Sequence, residues 1–294
     1  MSYRPRRAPR TTFLDIRGLR CHVRTWGDAA APPLLLLHGW MDIAASWQFV
    51  VDELGEGRHV IAPDWRGFGR SQWDPNGYWF PDYYADLDAL LEYFAPDAAA
   101  DLVGHSMGGN VASIYAGVRP ARVRRLVSLE GFGLPGTSPE AAPARIGQWL
   151  DAWRKPPSFR PYASLDALAA RLAESSPGLA AGQALYLARE HAMQEPDGSV
   201  AFSSDPRHKA PNAIPYRLDE AKACWRNVAA PVLWLLGAES KLLAQFYGEG
   251  LVELDARAAC FANLERITLQ GCGHMLHHDA PKSVAAALEK FLAP

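Results

Sequence analysis

A serine held between two glycines is the first candidate for chemistry in this chain. Residues 104–108 read Gly-His-Ser-Met-Gly, directly after an apolar run that ends at Val103 and before a helical pattern. This G-x-S-x-G motif between a strand and a helix is typical of a sharp turn that presents a serine hydroxyl at the edge of a sheet. Gly104 and Gly108 remove side chains that would collide in such a turn. The motif therefore predicts Ser106 as a nucleophile, placed at a helix N-terminus that favours developing negative charge.

A serine hydroxyl is a poor nucleophile at neutral pH and needs a neighbouring base. His274 is the best candidate, because it follows the last apolar run in the stretch Gly-Cys-Gly-His, residues 271–274. A turn there would lie at the carboxyl edge of a parallel sheet, where such folds place their active sites. The remaining histidines near these motifs are expected to support the site: His38 by bracing its loop, His105 as a structural residue, and His277 and His278 at the surface or behind the base.

Two backbone N–H groups are needed to stabilise the oxyanion that forms when a serine attacks a carbonyl. One is expected from Met107, the residue after the nucleophile. The other is expected from the loop after the first parallel strand, where residues 38–42 read His-Gly-Trp-Met-Asp. Because backbone donors do not depend on side-chain type, the motif predicts the place of this donor better than its identity.

Short apolar runs alternate with helical patterns along most of the chain. Such runs are too short for helices and suit strands that are buried on both faces of a parallel sheet. They lie near residues 34–37, 60–62, 102–103, 123–129, 232–236 and 264–269. Before them, segments 11–17 and 19–26 meet at Gly18 and predict an antiparallel strand pair. The alternation predicts an α/β fold with a doubly wound, mostly parallel sheet.

One long interval, residues 134–228, contains no buried-strand run and is rich in proline and alanine. A structureless loop of that length is rare in a compact domain, and the amphipathic stretches inside it predict helices. We therefore expect a core formed by residues 11–133 and 229–294, with a helical cap inserted between them. Residues 1–10 are basic with no apolar stretch behind them, and we expect a flexible, solvated arm.

Taken together, these motifs resemble the α/β-hydrolase superfamily from about residue 11 to the C-terminus, outside the insert. Besides the nucleophile turn, residues 64–71 are similar to the D-x-R-G-x-G-x-S loop of that family, and Pro281 opens a final helix after the Gly-Cys-Gly-His stretch. The His-Gly-Trp-Met-Asp stretch is most similar to the branch called serine hydrolase-like proteins. The resemblance implies that the N–H of Trp40 is the second oxyanion donor.

The resemblance leaves two positions open for the acid of the catalytic triad. Most relatives place an aspartate three residues after the glycine that ends the later strand, and that position, counted from Gly237, is Ser240 here. Glu239 is adjacent but one place off. Glu130 lies at a second position that some relatives use, at the end of the strand after the nucleophile helix. A carboxylate at either place can hold the imidazole in the required tautomer. We favour Glu130 and keep Glu239 as the alternative.

The chain contains ten tryptophans. Trp47, Trp149 and Trp153 are predicted to line an apolar substrate pocket under the cap, with cap-to-core packing as the other interpretation. The resemblance implies a cofactor-independent serine hydrolase that cleaves a small carboxylic ester or lactone through an acyl-enzyme on Ser106. Two alternatives remain, a C–C bond hydrolase of a diketone with the same triad and a non-catalytic ligand-binding relative.

Composition and absent motifs narrow the class further. A net charge of −2 gives no sign of a nucleic-acid partner, and no apolar run reaches the roughly 20 residues that cross a bilayer. No metal-ligand spacing and no phosphate-binding loop occur, so we expect a small-molecule substrate and no metal or cofactor. A serine at the nucleophile position argues against dehalogenase and epoxide hydrolase chemistry.

Four cysteines without a C-x-x-C pair, and no secretory apolar segment, predict a cytoplasmic protein. Oligomeric state leaves no signal in the sequence.

Overall fold

A mostly parallel sheet lies at the centre of the computed structural model, which describes residues 3–248 and 251–293. The strands in these ranges are β1 (Arg10–Ile16), β2 (Leu19–Trp26), β3 (Pro33–Leu37), β4 (His59–Pro63), β5 (Ala100–His105), β6 (Val123–Leu129), β7 (Ala192–Gln194), β8 (Val200–Phe202), β9 (Val232–Gly237) and β10 (Leu264–Leu269). Eight of them form one sheet in the order β1-β2-β4-β3-β5-β6-β9-β10. β2 runs antiparallel to β1 and β4, and the pairs from β4 to β10 are parallel. The predicted fold class is confirmed.

Helices cover both faces of this sheet. They are α1 (Gln48–Val51), α2 (Phe80–Phe94), α3 (Met107–Val118), α4 (Ala142–Arg154), α5 (Leu165–Ser175), α6 (Ala181–His191), α7 (Leu218–Arg226), α8 (Lys241–Tyr247), α9 (Val252–Ala258), α10 (Leu276–Asp279) and α11 (Pro281–Phe291). Side chains alternate along a strand, so Leu35 and Leu37 of β3 enter the apolar cluster under α2 and α3. Leu34 and Leu36 enter the opposite cluster, under α1 and α11. None of the helices described is both long and apolar enough to span a membrane.

The last strand differs from its prediction as a strand buried on both faces. β10 pairs with β9 alone and forms an edge of the sheet. Glu265, Arg266 and Thr268 are exposed, and its apolar residues are only partly covered. Its apolar run resembles those of the central strands, because sequence periodicity does not report whether a strand has one neighbour or two.

The inserted segment is mostly helical, as expected, but its last helix lies in the core. α4, α5, α6 and the short hairpin of β7 and β8 form the cap, and α5 and α6 share an apolar cluster with Phe49. α7 instead packs against α3, where Ala221 and Trp225 join the main core. A Cβ on Gly117 of α3 would lie 1.9 Å from the Cys224 carbonyl oxygen, so only glycine permits this approach. The cap therefore ends before residue 218 rather than at residue 228.

The N-terminal segment is held against the core, in contrast to the flexible arm expected from its sequence. The Tyr3 hydroxyl donates a 2.5 Å hydrogen bond to Asp52, and the Tyr3 ring lies 5.0 Å from that of Phe49. Arg7 donates to the Leu54 carbonyl oxygen at 3.2 Å. These partners lie more than 40 residues away along the chain, so the local sequence does not reveal them. Residues 1 and 2 lie outside the described ranges.

Candidate active site

Ser106 occupies a strained turn between β5 and α3. Its backbone has φ 49° and ψ −112°, a conformation that residues other than glycine rarely adopt. A Cβ on Gly104 would lie 2.4 Å from the Gly108 carbonyl carbon, and one on Gly108 would lie 2.2 Å from the Leu37 carbonyl oxygen. The Ser106 N–H donates to the Leu129 carbonyl at 2.8 Å, which fixes the turn to the end of β6. The two glycines are needed for the close approach that the sequence predicted.

The loop after β3 packs directly on this turn. A Cβ on Gly39 would lie 3.3 Å from the Ser106 Cβ and 2.7 Å from Nδ1 of His105, so the loop and the serine turn are in contact. The next residue, Trp40, is 51% exposed. Trp40 and Met107 line the same cavity. The two residues predicted to donate oxyanion N–H groups therefore border one space next to Ser106, and their catalytic role stays a prediction.

His38 braces this loop, as the sequence predicted. Its Nδ1–H donates to the Gly39 carbonyl at 2.7 Å, and its Nε2 accepts the Trp65 N–H at 2.9 Å. Burial lowers the pKa of His38 more than the nearby carboxylates raise it. The imidazole is therefore neutral, which matches a ring with one donor and one acceptor nitrogen.

The Asp-Trp-Arg-Gly-Phe-Gly-Arg-Ser segment supports the same loop from behind. Asp64 accepts the Ala44 N–H at 2.7 Å and the Arg70 N–H at 3.0 Å. Arg66 makes a two-pronged contact with Asp86, with both N–O distances 2.6 Å. The Asp64 and Arg66 side chains are buried and already engaged by these partners, so the two positions support the structure of the loop and are not free to bind a ligand.

His274 and Glu130 come together at the carboxyl ends of the strands. His274 Nδ1 lies 3.2 Å from Glu130 Oε2, and the Glu130 side chain is fully buried while that of His274 is 25% exposed. The Ser240 hydroxyl donates to the same oxygen at 2.6 Å, and the Gly237 N–H donates to Oε1 at 2.8 Å. The carboxylate thus accepts from three groups and holds the imidazole by Nδ1, which leaves Nε2 free to face a nucleophile.

Glu239, the alternative acid, has a different partner. It accepts the Gly271 N–H at 3.0 Å in the turn before His274, and no hydrogen bond joins it to His274 within the described residues. Ser240 occupies the position where most relatives carry the aspartate, and it donates to Glu130. The geometry therefore favours Glu130 as the acid over Glu239.

His105 connects the serine turn to the loop of the base. Its Nε2–H donates to the His274 carbonyl at 2.9 Å, and the two rings lie 4.7 Å apart. Burial, together with the nearby His277 and His274, lowers the pKa of His105 well below its usual range. Because His105 directly precedes Ser106, this neutral ring ties the serine turn to the backbone of the base, which agrees with its predicted structural role.

A second carboxylate–histidine pair lies behind the site. His277 Nε2 is 3.2 Å from Asp42 Oδ2, and His191, at the end of cap helix α6, is 3.7 Å from the other oxygen. Burial raises the pKa of Asp42, but the adjacent His191 and His277 lower that pKa by more, so it lies well below its usual range. His277 and His278 are both buried. Of the two positions expected for these histidines, the structure shows the one behind the base and not the one at the surface, because the cap covers α10.

Asp42, His105 and His277 each offer a ligand atom within 4.8 Å of the others. Two imidazoles and a carboxylate form a donor set that transition metals accept. No sequence motif indicated this group, because the three residues come from three separate motifs. In this structure His277 and Asp42 bond directly to each other.

A cavity of about 380 Å³ adjoins Trp40 and Met107. Of the predicted pocket tryptophans, Trp149 and Trp153 line it. Trp47 does not. It is fully buried under the other face of the sheet, with its ring 4.8 Å from that of His277. An apolar residue close to the loop in sequence can belong to either face, and here Trp47 ends a buried 3-10 turn, residues 44–47, that directs it inward.

His208 is a cavity residue that the sequence analysis missed. Its ring is stacked between Phe68 and Tyr78 at 3.8 and 3.6 Å, and its carbonyl accepts the Trp40 indole N–H at 3.3 Å. Burial lowers the pKa of His208 to about 3, so the ring is neutral. The cap thus contacts the loop of Trp40 through this residue. Its place in a proline-rich segment far from the other motifs gave no clue to this contact.

Comparisons with known proteins agree with this geometry. A family model described as the alpha/beta hydrolase fold matches residues 32–281. The chain is 26% identical over 279 residues to a serine hydrolase-like protein from Danio rerio, which covers 92% of this chain and 84% of the relative. It is 38% identical over 152 residues to a 2-hydroxymuconate semialdehyde hydrolase from Pseudomonas sp. strain CF600, 48% of each chain. A thioesterase domain from the curacin biosynthetic pathway matches with a TM-score of 0.86 and 26% identity, over 96% of this chain and 99% of that domain. The resemblance seen in the motifs is confirmed, and the chain belongs to the α/β-hydrolase family.

Proposed function

We propose that this protein is a serine hydrolase that cleaves a neutral carboxylic ester or lactone through an acyl-enzyme on Ser106. The observation that carries the proposal is the Glu130–His274 contact of 3.2 Å, in a loop that is hydrogen-bonded to the residue before the strained serine. A strained nucleophile, a base fixed by a buried carboxylate and two backbone donors beside one cavity are the parts that acyl transfer requires.

The reaction follows from these positions. Ser106 Oγ attacks the substrate carbonyl while His274 Nε2 takes the hydroxyl proton, and Glu130 stabilises the imidazolium through the Nδ1–H. The Met107 and Trp40 N–H groups bind the oxyanion of the tetrahedral intermediate. His274 then gives its proton to the leaving alkoxide. A water molecule, activated by the same imidazole, attacks the acyl-enzyme and releases the acid.

The lining of the cavity favours a neutral substrate. Its walls are mainly aromatic, and Arg207 is the one side chain with a permanent positive charge among the described lining residues. Arg207 is already engaged, because it donates to Asp205 at 2.9 Å and to the Pro75 carbonyl at 3.0 Å. An anionic group on the substrate would therefore have no free cation to bind.

A second candidate is C–C bond hydrolysis of a vinylogous diketone by the same residues. It is supported by the 38% identity over 152 residues to a 2-hydroxymuconate semialdehyde hydrolase. The two reactions can be separated by assaying a ring-cleavage diketone beside short esters. Turnover of the diketone with little ester hydrolysis would replace the ester proposal by this one.

The nucleophile is tested with a fluorophosphonate probe and a p-nitrophenyl butyrate assay. We expect one label per chain, at Ser106. Ser106→Ala should lose the label and about 10³–10⁶ in kcat while its melting temperature stays close to that of the parent protein. A labelled Ser106→Ala protein would refute the assignment. An unlabelled, inactive parent protein that still binds ligands would indicate a non-catalytic relative.

A further inference from the structure

A second cavity of about 370 Å³ lies behind the first, between α2, α3, α7 and cap residues 212–217. Its lining is largely apolar and includes Tyr84, Ile114, Val118, Ile214, Tyr216 and Cys224. No residue placed in the catalytic machinery contacts it. Small-molecule sites commonly have volumes of roughly 300–1,000 Å³, so each cavity alone is near the lower end of that range.

The two cavities share a wall. Trp79, Phe80 and Asn212 line both of them. Phe80 lies 6.0 Å from Tyr83 on the side of the first cavity and 6.2 Å from Tyr216 on the side of the second, measured between ring centroids. The wall is thus made of side chains at the start of α2 and one cap residue. Rotamer changes of side chains are fast and local, so this partition can open without moving a helix.

The outer end of this cavity is apolar and open. Val118 and Ile214 are 56% and 60% exposed. The charged residues beside them, Arg217 and Glu220, pair with each other at 3.2 Å and offer no net charge to a ligand. An exposed apolar opening with a neutral rim fits a long uncharged chain better than an ionic group.

We propose that the substrate is an ester of a long apolar acyl chain, which crosses the wall formed by Trp79, Phe80 and Asn212 and places its distal half in the second cavity. This inference rests on the proposed function for the position of the ester carbonyl at Ser106. It differs from the small substrate that the first cavity alone would hold. The second cavity then sets chain-length selectivity and takes no part in the chemistry.

The second cavity can be blocked by chemical modification of a cysteine, and the attached group is called the plug below. Cys224 lines it and is partly accessible, whereas Cys21, Cys260 and Cys272 are buried. N-phenylmaleimide should add its ring to the Cys224 sulfur and fill the space. We expect kcat/KM for p-nitrophenyl laurate to fall by at least about tenfold, the effect of losing a few methylene contacts in a pocket, and kcat/KM for p-nitrophenyl acetate to stay within about twofold. Cys224→Ala treated with the same reagent is the matched control, and Val118→Trp is a second plug at an exposed position.

A binding assay separates this inference from the proposed function. Ser106→Ala protein, with and without the maleimide, is titrated with methyl laurate, a neutral ester that this variant should not hydrolyse, by calorimetry. A dissociation constant weakened about tenfold by the plug supports the second cavity even if no ester is hydrolysed. Unchanged laurate binding and unchanged laurate hydrolysis after full modification would overturn it, as would an equal loss on laurate and acetate.

Discussion

Two carboxylate–histidine pairs lie side by side in this protein, and their distances are the same. Glu130 Oε2 is 3.2 Å from His274 Nδ1, and Asp42 Oδ2 is 3.2 Å from His277 Nε2. The two histidine rings differ in access. The side chain of His274 is 25% exposed and that of His277 is completely buried. Distance therefore does not distinguish a candidate catalytic pair from a structural one.

The nitrogen that makes the contact and the other partners of the acid do distinguish them. His274 uses Nδ1 and keeps Nε2 for the nucleophile, while His277 uses Nε2 and its Nδ1 is buried without a partner within the described residues. Glu130 is fixed by backbone and hydroxyl donors from neighbouring strand ends. Asp42 instead bridges His277 of the core and His191 of the cap. We infer that the first pair carries the chemistry and that the second holds the cap to the core.

Glu130→Gln should show the largest effect that separates the two pairs. The glutamine fills the same space, but it is neutral and its amide can select the wrong imidazole tautomer. Loss of a triad carboxylate in this way reduces kcat by about 10⁴ in a well-studied protease. We expect kcat on p-nitrophenyl butyrate to fall by at least roughly a hundredfold, with KM little changed.

The matching control for the first pair is thermal melting of the same variant. Glu130 also accepts the Gly237 N–H and the Ser240 hydroxyl, so some loss of stability is expected. A normal kcat in Glu130→Gln would leave Ser106 and His274 as a dyad, with the imidazole oriented by another group.

Asp42→Asn should have the opposite effect to Glu130→Gln, with a large loss of stability and a small loss of kcat. Asp42 bonds His277 through one oxygen at 3.2 Å and lies 3.7 Å from His191 at the other, and the amide replaces one of these oxygens by an NH₂ group that faces a histidine nitrogen. The loss of a hydrogen bond to a buried charged group is worth about 1.5–3 kcal/mol. We expect the melting temperature to fall by several degrees and kcat to fall by less than about tenfold, measured by calorimetry and the ester assay. A kcat loss as large as that of Glu130→Gln, with an unchanged melting temperature, would show that the second pair belongs to the catalytic machinery.

The buried histidines around the second pair predict how stability depends on pH. Burial, followed by the effect of the nearby His277, lowers the pKa of both His105 and His278 well below the ordinary value of 6.5. The unfolded chain therefore takes up protons below pH 6.5 that the folded protein does not bind. The corresponding stability is fully present above that pH and is lost as the pH falls.

Each such histidine contributes up to about 1.4 kcal/mol of unfolding free energy per pH unit in this window. The melting temperature should decline between roughly pH 6.5 and pH 5, before most carboxylates titrate. His278→Gln should reduce the slope of the decline. A melting temperature that is constant over this window would mean that these histidines are protonated in the folded protein.

Local sequence patterns predicted the parts of the molecule whose structure depends on residues close to one another in the sequence. The serine turn, the antiparallel pair at Gly18 and the central strands follow from glycine positions and short apolar runs. The candidate acid was narrowed to two residues because both follow strand ends, where side chains converge at one edge of the sheet. The choice between Glu130 and Glu239 depends on which carboxylate Ser240 and His274 reach, and this is a three-dimensional property.

The parts that sequence could not predict depend on contacts between distant segments. Trp47 was placed in the pocket because it lies close to the loop of Trp40, yet the chain turns it under the opposite face of the sheet. His277 lies close to the base in sequence, and contacts with Trp47, His105 and Asp42 from earlier segments of the chain bury it. α7 carries the apolar pattern of a cap helix, but the close approach at Gly117 places it on α3. In each case a partner far along the chain determines the position.

Glu239→Gln should have the smallest effect on kcat and on stability. It is a control for Glu130→Gln, because it makes the same chemical change at a carboxylate that bonds no histidine among the described residues. Its carboxylate accepts the Gly271 N–H at 3.0 Å. The glutamine side-chain oxygen can still accept this bond, and the site is exposed to solvent, so we expect at most a few-fold change in kcat and under about 0.5 kcal/mol in stability, as for most surface substitutions. The two glutamine variants should be assayed on the same ester at the same pH and melted in parallel. If Glu239→Gln proves to be the crippled enzyme and Glu130→Gln is nearly normal, the acid is Glu239, and the 3.2 Å Glu130–His274 contact would join the Asp42–His277 contact as structural.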